Sequence, residues 1–147
     1  MATKFSQFNP VTTVAESGDT VVGLRNGANT IFNAQAFAAL PWTTLTSGQI
    51  LVINNGYFLV NSANAIYTLP TVAAAGQILQ IINLSNYTVT IAQNAGQKIQ
   101  FGNIASTLGT GGSIASSNIG DSLTLVCSVA NNNFTLLGAP QGNWVVT

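Results

Sequence analysis

From Trp42 onward, apolar and polar positions exchange places in short runs. Residues 87–92 (YTVTIA) set Val89 and Ile91 on one side and Thr88 and Thr90 on the other. Residues 122–129 (SLTLVCSV) place Leu123, Leu125, Cys127 and Val129 on a single face. A repeat of two marks a strand with one covered face and one open face. Further short segments rich in Val, Ile, Leu, Thr and aromatics, bounded by Asn, Gly, Ser or Pro, predict strands at 49–53, 57–61, 65–69, 77–84, 98–101, 133–138 and 143–147. Such spacing predicts an all-β domain over residues 42–147, an antiparallel β-sandwich or jelly roll.

One run breaks the alternation. In ILQIIN, Ile78 and Ile82 point one way while Leu79 and Ile81 point the other, so the strand is apolar on both faces and needs cover on both. With so little helix in the chain, another copy is the most economical second cover. Ile78, Leu79, Ile81 and Ile82 are therefore the candidate interface of a homo-oligomer.

The first 41 residues read differently. FSQFNP sets Phe5 and Phe8 three apart ahead of Pro10, which argues against a long helix and for an extended arm whose rings need a partner surface. Two apolar runs, VVGL and TIF, then flank Asn26-Gly27, a pair that tolerates the positive φ of a tight turn and predicts a hairpin. Asn33 offers a cap for one short helix over 34–40, which Pro41 ends. The organisation expected is residues 1–41 as arm, hairpin and helix, and 42–147 as the β domain.

Charge alters this picture more than size does. Of 147 residues only 4% are charged, against about 25% in typical soluble domains. The ionisable cations and carboxylates are Lys4, Glu16, Asp19, Arg25, Lys98 and Asp121, and the net charge is zero. Neutrality removes self-repulsion and favours association. Three scattered cations build no basic patch, so neither a nucleic acid nor an anionic membrane surface is an expected partner. No segment has the roughly 18 consecutive apolar residues of a spanning helix, and the start lacks a signal-peptide layout, so a soluble product made in the cytoplasm is expected. The single cysteine, Cys127, reads as a small buried hydrophobe.

Candidate chemistry is sparse. The glycine-rich stretch STLGTGGS precedes an alternating segment, as phosphate loops precede secondary structure. However, Gly109, Gly111 and Gly112 lead to Ser113 with no lysine, and a strand rather than a helix follows. The stretch reads as a turn-rich connection. There is no histidine, which removes the commonest general base and metal ligand. Asp121 paired with Glu16 or Asp19 is the one conceivable carboxylate pair for cutting a sugar, but Asp in a Gly-Asp-Ser turn more commonly bonds to nearby backbone. No catalytic residue, metal site or cofactor is expected. Among the aromatics, Trp42, Tyr57 and Trp144 are candidate sugar-stacking rings, set against the alternative that they are core.

The run AGQKIQFGNIASTLGTGGSIASSNIGDSLTLVCSVANNNFTLLGAPQGNWVV resembles the C-terminal β domain of tailed-bacteriophage fibre, tailspike and related virion proteins, with YFLVNSANAIYTLP upstream resembling the preceding strand pair. DTVVGLRNGANTIF is similar to the leader by which such fibres join the particle. The resemblance implies a homotrimer, an N-terminal attachment end involving Phe5, Phe8 and Pro10, other virion proteins as partners, and a distal domain facing the host surface and its glycans. Residues 34–48 leave no room for a shaft, so a short tail fibre and a capsid cement or decoration protein both remain open. A polysaccharide-degrading enzyme is the third reading.

Overall fold

The computed structural model describes residues 20–25, 28–33 and 40–147. The chain divides into two units, Met1–Ala39 and Leu40–Thr147. In the first, β1 (Thr20–Arg25) and β2 (Ala28–Asn33) pair antiparallel from Thr20↔Asn33 to Arg25↔Ala28, leaving Asn26-Gly27 as the two-residue connection of the expected hairpin. Phe5, Phe8 and Pro10 lie outside the described residues, as does the helix expected at 34–40 except for Leu40.

The second unit holds β3 (Trp42–Leu45), β4 (Asn55–Leu59), β5 (Ala65–Thr68), β6 (Ile78–Asn83), β7 (Val89–Ala92), β8 (Lys98–Phe101), β9 (Ile104–Ala105), β10 (Ser113–Ser116), β11 (Ser122–Val129), β12 (Asn133–Leu136) and β13 (Val145–Val146). They form a seven-stranded sheet in the order β3-β4-β6-β11-β12-β8-β9 and a four-stranded sheet in the order β13-β10-β7-β5. The all-β expectation holds, and no helix occurs among the described residues.

The expectation of purely antiparallel sheets does not hold: both are mixed. The pairs β3/β4, β4/β6, β8/β12 and β5/β7 are parallel. The reason is the path of the chain. From β4 to β8 each strand lies in the other sheet from its predecessor. A chain that crosses to the opposite sheet and returns arrives in its original direction, so β4 and β6 run parallel, as do β5 and β7.

One core joins the inward faces of both sheets. Tyr57, Leu59, Leu79, Ile81, Leu123, Leu125, Cys127, Phe134 and Ile99 come from the larger sheet, and Tyr67, Val89, Ile91 and Ile114 from the smaller. Val89, Ile91, Leu125 and Cys127 are fully buried, as the alternation predicts. Val129, expected on that same face, is 53% exposed. A shift in the β11/β12 register between Cys127 and Val129 inserts an extra residue and turns Val129 outward.

Two further segments depart from the sequence reading. The 49–53 stretch makes only a single bridge, Ile50↔Thr68, beside β5. The glycine-rich connection is more structured than expected, because Ser113–Ser116 is strand β10, paired to both β7 and β13. Serine and alanine have weak strand preference, and the two neighbouring strands impose the conformation.

Buried amides fasten this region. Gln93 is 3% exposed; the two hydrogens of its Nε2 are shared among the carbonyls of Gln97, Thr107 and Gly109 at 2.5, 2.6 and 2.7 Å, while its Oε1 accepts from Ser106 Oγ at 2.6 Å. A Cβ on Gly112 would sit 2.5 Å from that Nε2, so only glycine lets the loop close over the amide. Gln97, also buried, donates to Pro70 O and accepts from the Asn94 backbone N–H.

Candidate functional site

The outward positions of the seven-stranded sheet build a groove. Trp42 on β3 pairs with Gly56 on β4, which pairs with Gln80 on β6, which pairs with Thr124 on β11. The Leu137 N–H then bonds to Thr124 O at 2.8 Å. One row across the sheet thus runs aromatic, glycine, amide, hydroxyl, aliphatic. Beside it, Ile82 lies opposite Ser122.

Gly56 makes the aromatic wall possible. A Cβ there would sit 2.4 Å from Cδ2 of Trp42, so the indole occupies the place a side chain would take. Phe58, two residues along the same face, stacks on it with centroids 4.6 Å apart and planes at 23°. Trp42 is nevertheless 40% exposed. The opposite wall is an arch: after Leu137 the chain leaves β11 and rejoins it where Gln141 pairs with Ser122. Leu137 and Ala139 line it, and the groove, open to solvent, has a volume of about 290 Å³, near the lower end of ligand pockets.

The floor is polar and uncharged. Gln80, Ser122 and Thr124 are half-buried, and their side chains have no hydrogen-bond partner among the described residues. Elsewhere the chain engages its amides closely, as at Gln93, Asn94 and Gln97. Asp121 adjoins Ser122 in sequence, yet its carboxylate is turned away. It is 4% exposed and accepts from Ser116 Oγ at 2.6 Å and Asn118 Nδ2 at 3.3 Å. The turn Asp therefore ties down its own loop.

The other candidate residues fall in different places. Tyr57 is 3% exposed, and its hydroxyl donates to Val52 O and accepts from the Val52 N–H. Its ring has no free face for a sugar, which corrects the expectation placed on it. Burial raises its pKa above the ordinary tyrosine value, opposed by the Val52 hydrogen bond. Trp144 is half-buried against the core, and its Nε1 donates to Gln141 O. Ile78 and Ile82 lie on the outward face, half-buried, while Leu79 and Ile81 are wholly enclosed in the chain's own core. Of the four residues expected at a surface between copies, only Ile78 and Ile82 stand on the outward face.

In the Gly/Ser loop, the N–H groups of Ser106, Thr107, Gly109, Gly112 and Ser113 all bond to the chain's own carbonyls. Those five amides are therefore not available to cradle a phosphate. Among the described residues no three His, Cys, Asp or Glu side chains are placed to share a metal.

No protein-family model and no curated sequence matches the chain. The polar residues of the groove did not stand out in the sequence. The available signal was parity: Gln80 is the one polar residue between Ile78 and Ile82 on their face, and Ser122 and Thr124 alternate with Leu123 and Leu125. What parity omits is the register that sets Gln80 against Thr124.

Proposed function

We propose that the chain is a structural protein of a tailed-bacteriophage virion, a short trimeric tail fibre. In this reading Phe5, Phe8 and Pro10 belong to the region that attaches it to the particle. The two sheets form a β-sandwich whose distal surface meets the host. The observation that carries the proposal is the outward face of the four-stranded sheet. Ile66, Thr90, Ala115 and Val145 follow one another across its strands, with Ile50, Thr68, Ala92 and Ser113 in the next row. Ile50, Ile66 and Val145 are 63%, 62% and 65% exposed, and no ionisable side chain stands among them.

A face of this kind favours a partner that brings no charge, because a buried charge would find no counter-ion there. The faces of the two sheets of the second unit, whose strands bear only Lys98, meet that condition. Four strands about 4.8 Å apart and about 13 Å long give a patch smaller than the ~800 Å² each partner contributes to a standard interface. A closed ring, in which every copy uses two surfaces, supplies the rest, and the resemblance over residues 50–147 favours three copies.

The connection between β2 and β3 is residues 34–41 alone, too little for a shaft, and this favours capsid cement or decoration as the second reading. Sedimentation of the purified protein tests assembly: a trimer is expected, and a monomer at micromolar concentration overturns the proposal. Electron microscopy of particles carrying the chain then separates the two locations, with density at the tail supporting the fibre and density on the capsid supporting decoration.

A further inference from the structure

We propose that the groove between Trp42 and Leu137 is a binding site for a neutral pyranose sugar. Three observations converge on that ligand class. The walls are an indole and two aliphatic side chains, Leu137 and Ala139, suited to the C–H faces of a sugar ring. The floor holds an amide and a hydroxyl directly opposite one another, Gln80 and Thr124, with Ser122 on the adjacent row. All three lack a hydrogen-bond partner among the described residues, so they are free to meet the hydroxyls on the ring's edge. Among the described residues no ionisable side chain lines the groove, and the nearest carboxylate in sequence, Asp121, is buried and engaged with Ser116 and Asn118. Acidic sugars and phosphates gain nothing here.

The site is also held in its binding shape. Trp42 sits in the notch over Gly56 and is braced by Phe58, which limits its rotation before any ligand arrives. Gln80 and Thr124 stand on β6 and β11, strands paired on both sides within the sheet. A ligand therefore pays little to order the residues it meets. The floor is two strands wide, roughly 10 Å, about the width of a sugar ring, with the exposed part of the indole along one edge. The biological source of such a sugar rests on the host-facing reading above, but the chemistry does not. Sugar binding by a protein found on no virion would overturn that reading and leave this one standing.

The full chain titrated with maltotriose, lactose and mannotriose, with 3′-sialyllactose and inorganic phosphate as charged controls, provides the test by calorimetry and by NMR of the Trp42 indole and Gln80 side-chain amide. At least one neutral sugar is expected to bind below about 10 mM and shift both signals. Trp42→Ala weakens that binding by about tenfold or more, the loss associated with removing one stacked ring. Gln80→Met, which keeps the volume and removes the amide, weakens it several-fold while leaving the Trp42 indole signal of the free protein in place. Silence from all three neutral sugars overturns the proposal. So does equal binding of phosphate, or full affinity in both folded variants.

Discussion

The two sheets turn outward faces of opposite character to the surroundings, although they share one core and one nearly uncharged composition. The four-stranded sheet offers Ile50, Ile66 and Val145 on a background of Thr and Ala, flat and with little capacity for directed hydrogen bonds. The seven-stranded sheet offers a notch, an indole, an amide and two hydroxyls arranged as a groove. Removing charge from a surface thus has two different consequences. Where the outward residues are β-branched, the face suits a matching apolar surface; where they carry amides and hydroxyls between apolar walls, it suits a small polar neutral molecule.

The most decisive way to break this comparison is one charge on each face. Ile66→Asp places a carboxylate in the middle of the flat face, and burying it against another copy is costly. Self-association is expected to weaken by at least about a hundredfold in sedimentation velocity. Thr124→Asp on the grooved face should leave the oligomer intact. Dissociation by Thr124→Asp with Ile66→Asp inert would exchange the roles of the two sheets.

Much of the core was legible in the sequence, because strands β7 and β11 declare their buried faces through a repeat of two. Features that depend on non-local pairing were not. Val129 continues the alternation of Leu123, Leu125 and Cys127 and still faces water, since a bulge is a fact of two strands. Ser113–Ser116 has the composition of a loop and becomes a strand because β7 and β13 flank it. Strand direction depended on how the chain commutes between sheets, which no local pattern encodes. At the site, Trp42 and Tyr57 looked alike as aromatics near strand ends. Parity separates them: Phe58 shares the outward face with Gly56, and Tyr57 shares the inward one with Leu59.

Next in size is the fastening of the smaller sheet. Gln93→Ala leaves the Thr107 carbonyl and the Ser106 hydroxyl hydrogen without their buried partner, while the Gln97 and Gly109 carbonyls keep the N–H groups of Gly109 and Gly112. At about 1–3 kcal/mol for each unsatisfied buried group, and allowing for relaxation of the loop, a loss of roughly 2–4 kcal/mol is expected in urea unfolding. A loss under 0.5 kcal/mol, a threshold on the order of ordinary surface substitutions, would show that the loop is not held by this amide. On the larger sheet, Gly56→Ala drives a methyl into the Trp42 ring and should cost about 1–3 kcal/mol. Its diagnostic is a changed tryptophan emission with the oligomer preserved. An unchanged spectrum would mean that the indole does not rest on Gly56.

The smallest effect compares two tyrosines, one from each sheet. Tyr57 on β4 and Tyr67 on β5 both have pKa values raised by burial, opposed by hydrogen bonds to the Val52 backbone and to Asn61. The folded chain holds these phenolic protons more tightly than the unfolded chain does. Their contribution is therefore fully present below the ordinary tyrosine value of about 10 and is lost as pH rises through the folded values. Replacing either with Phe should flatten the alkaline decline while costing about 1 kcal/mol at neutral pH. Tyr67→Phe should cost the more of the two. The Tyr67 hydroxyl bonds to Asn61 Oδ1 at 2.6 Å, and Asn61 Nδ2, buried, has no partner among the described residues, so the substitution leaves that amide with neither group satisfied. Val52 lies near the surface, 60% exposed, where water can take the place of the Tyr57 hydroxyl. Urea unfolding at pH 7 and pH 10.5 measures both quantities, and an alkaline decline unchanged in the double Phe variant would assign it to other groups.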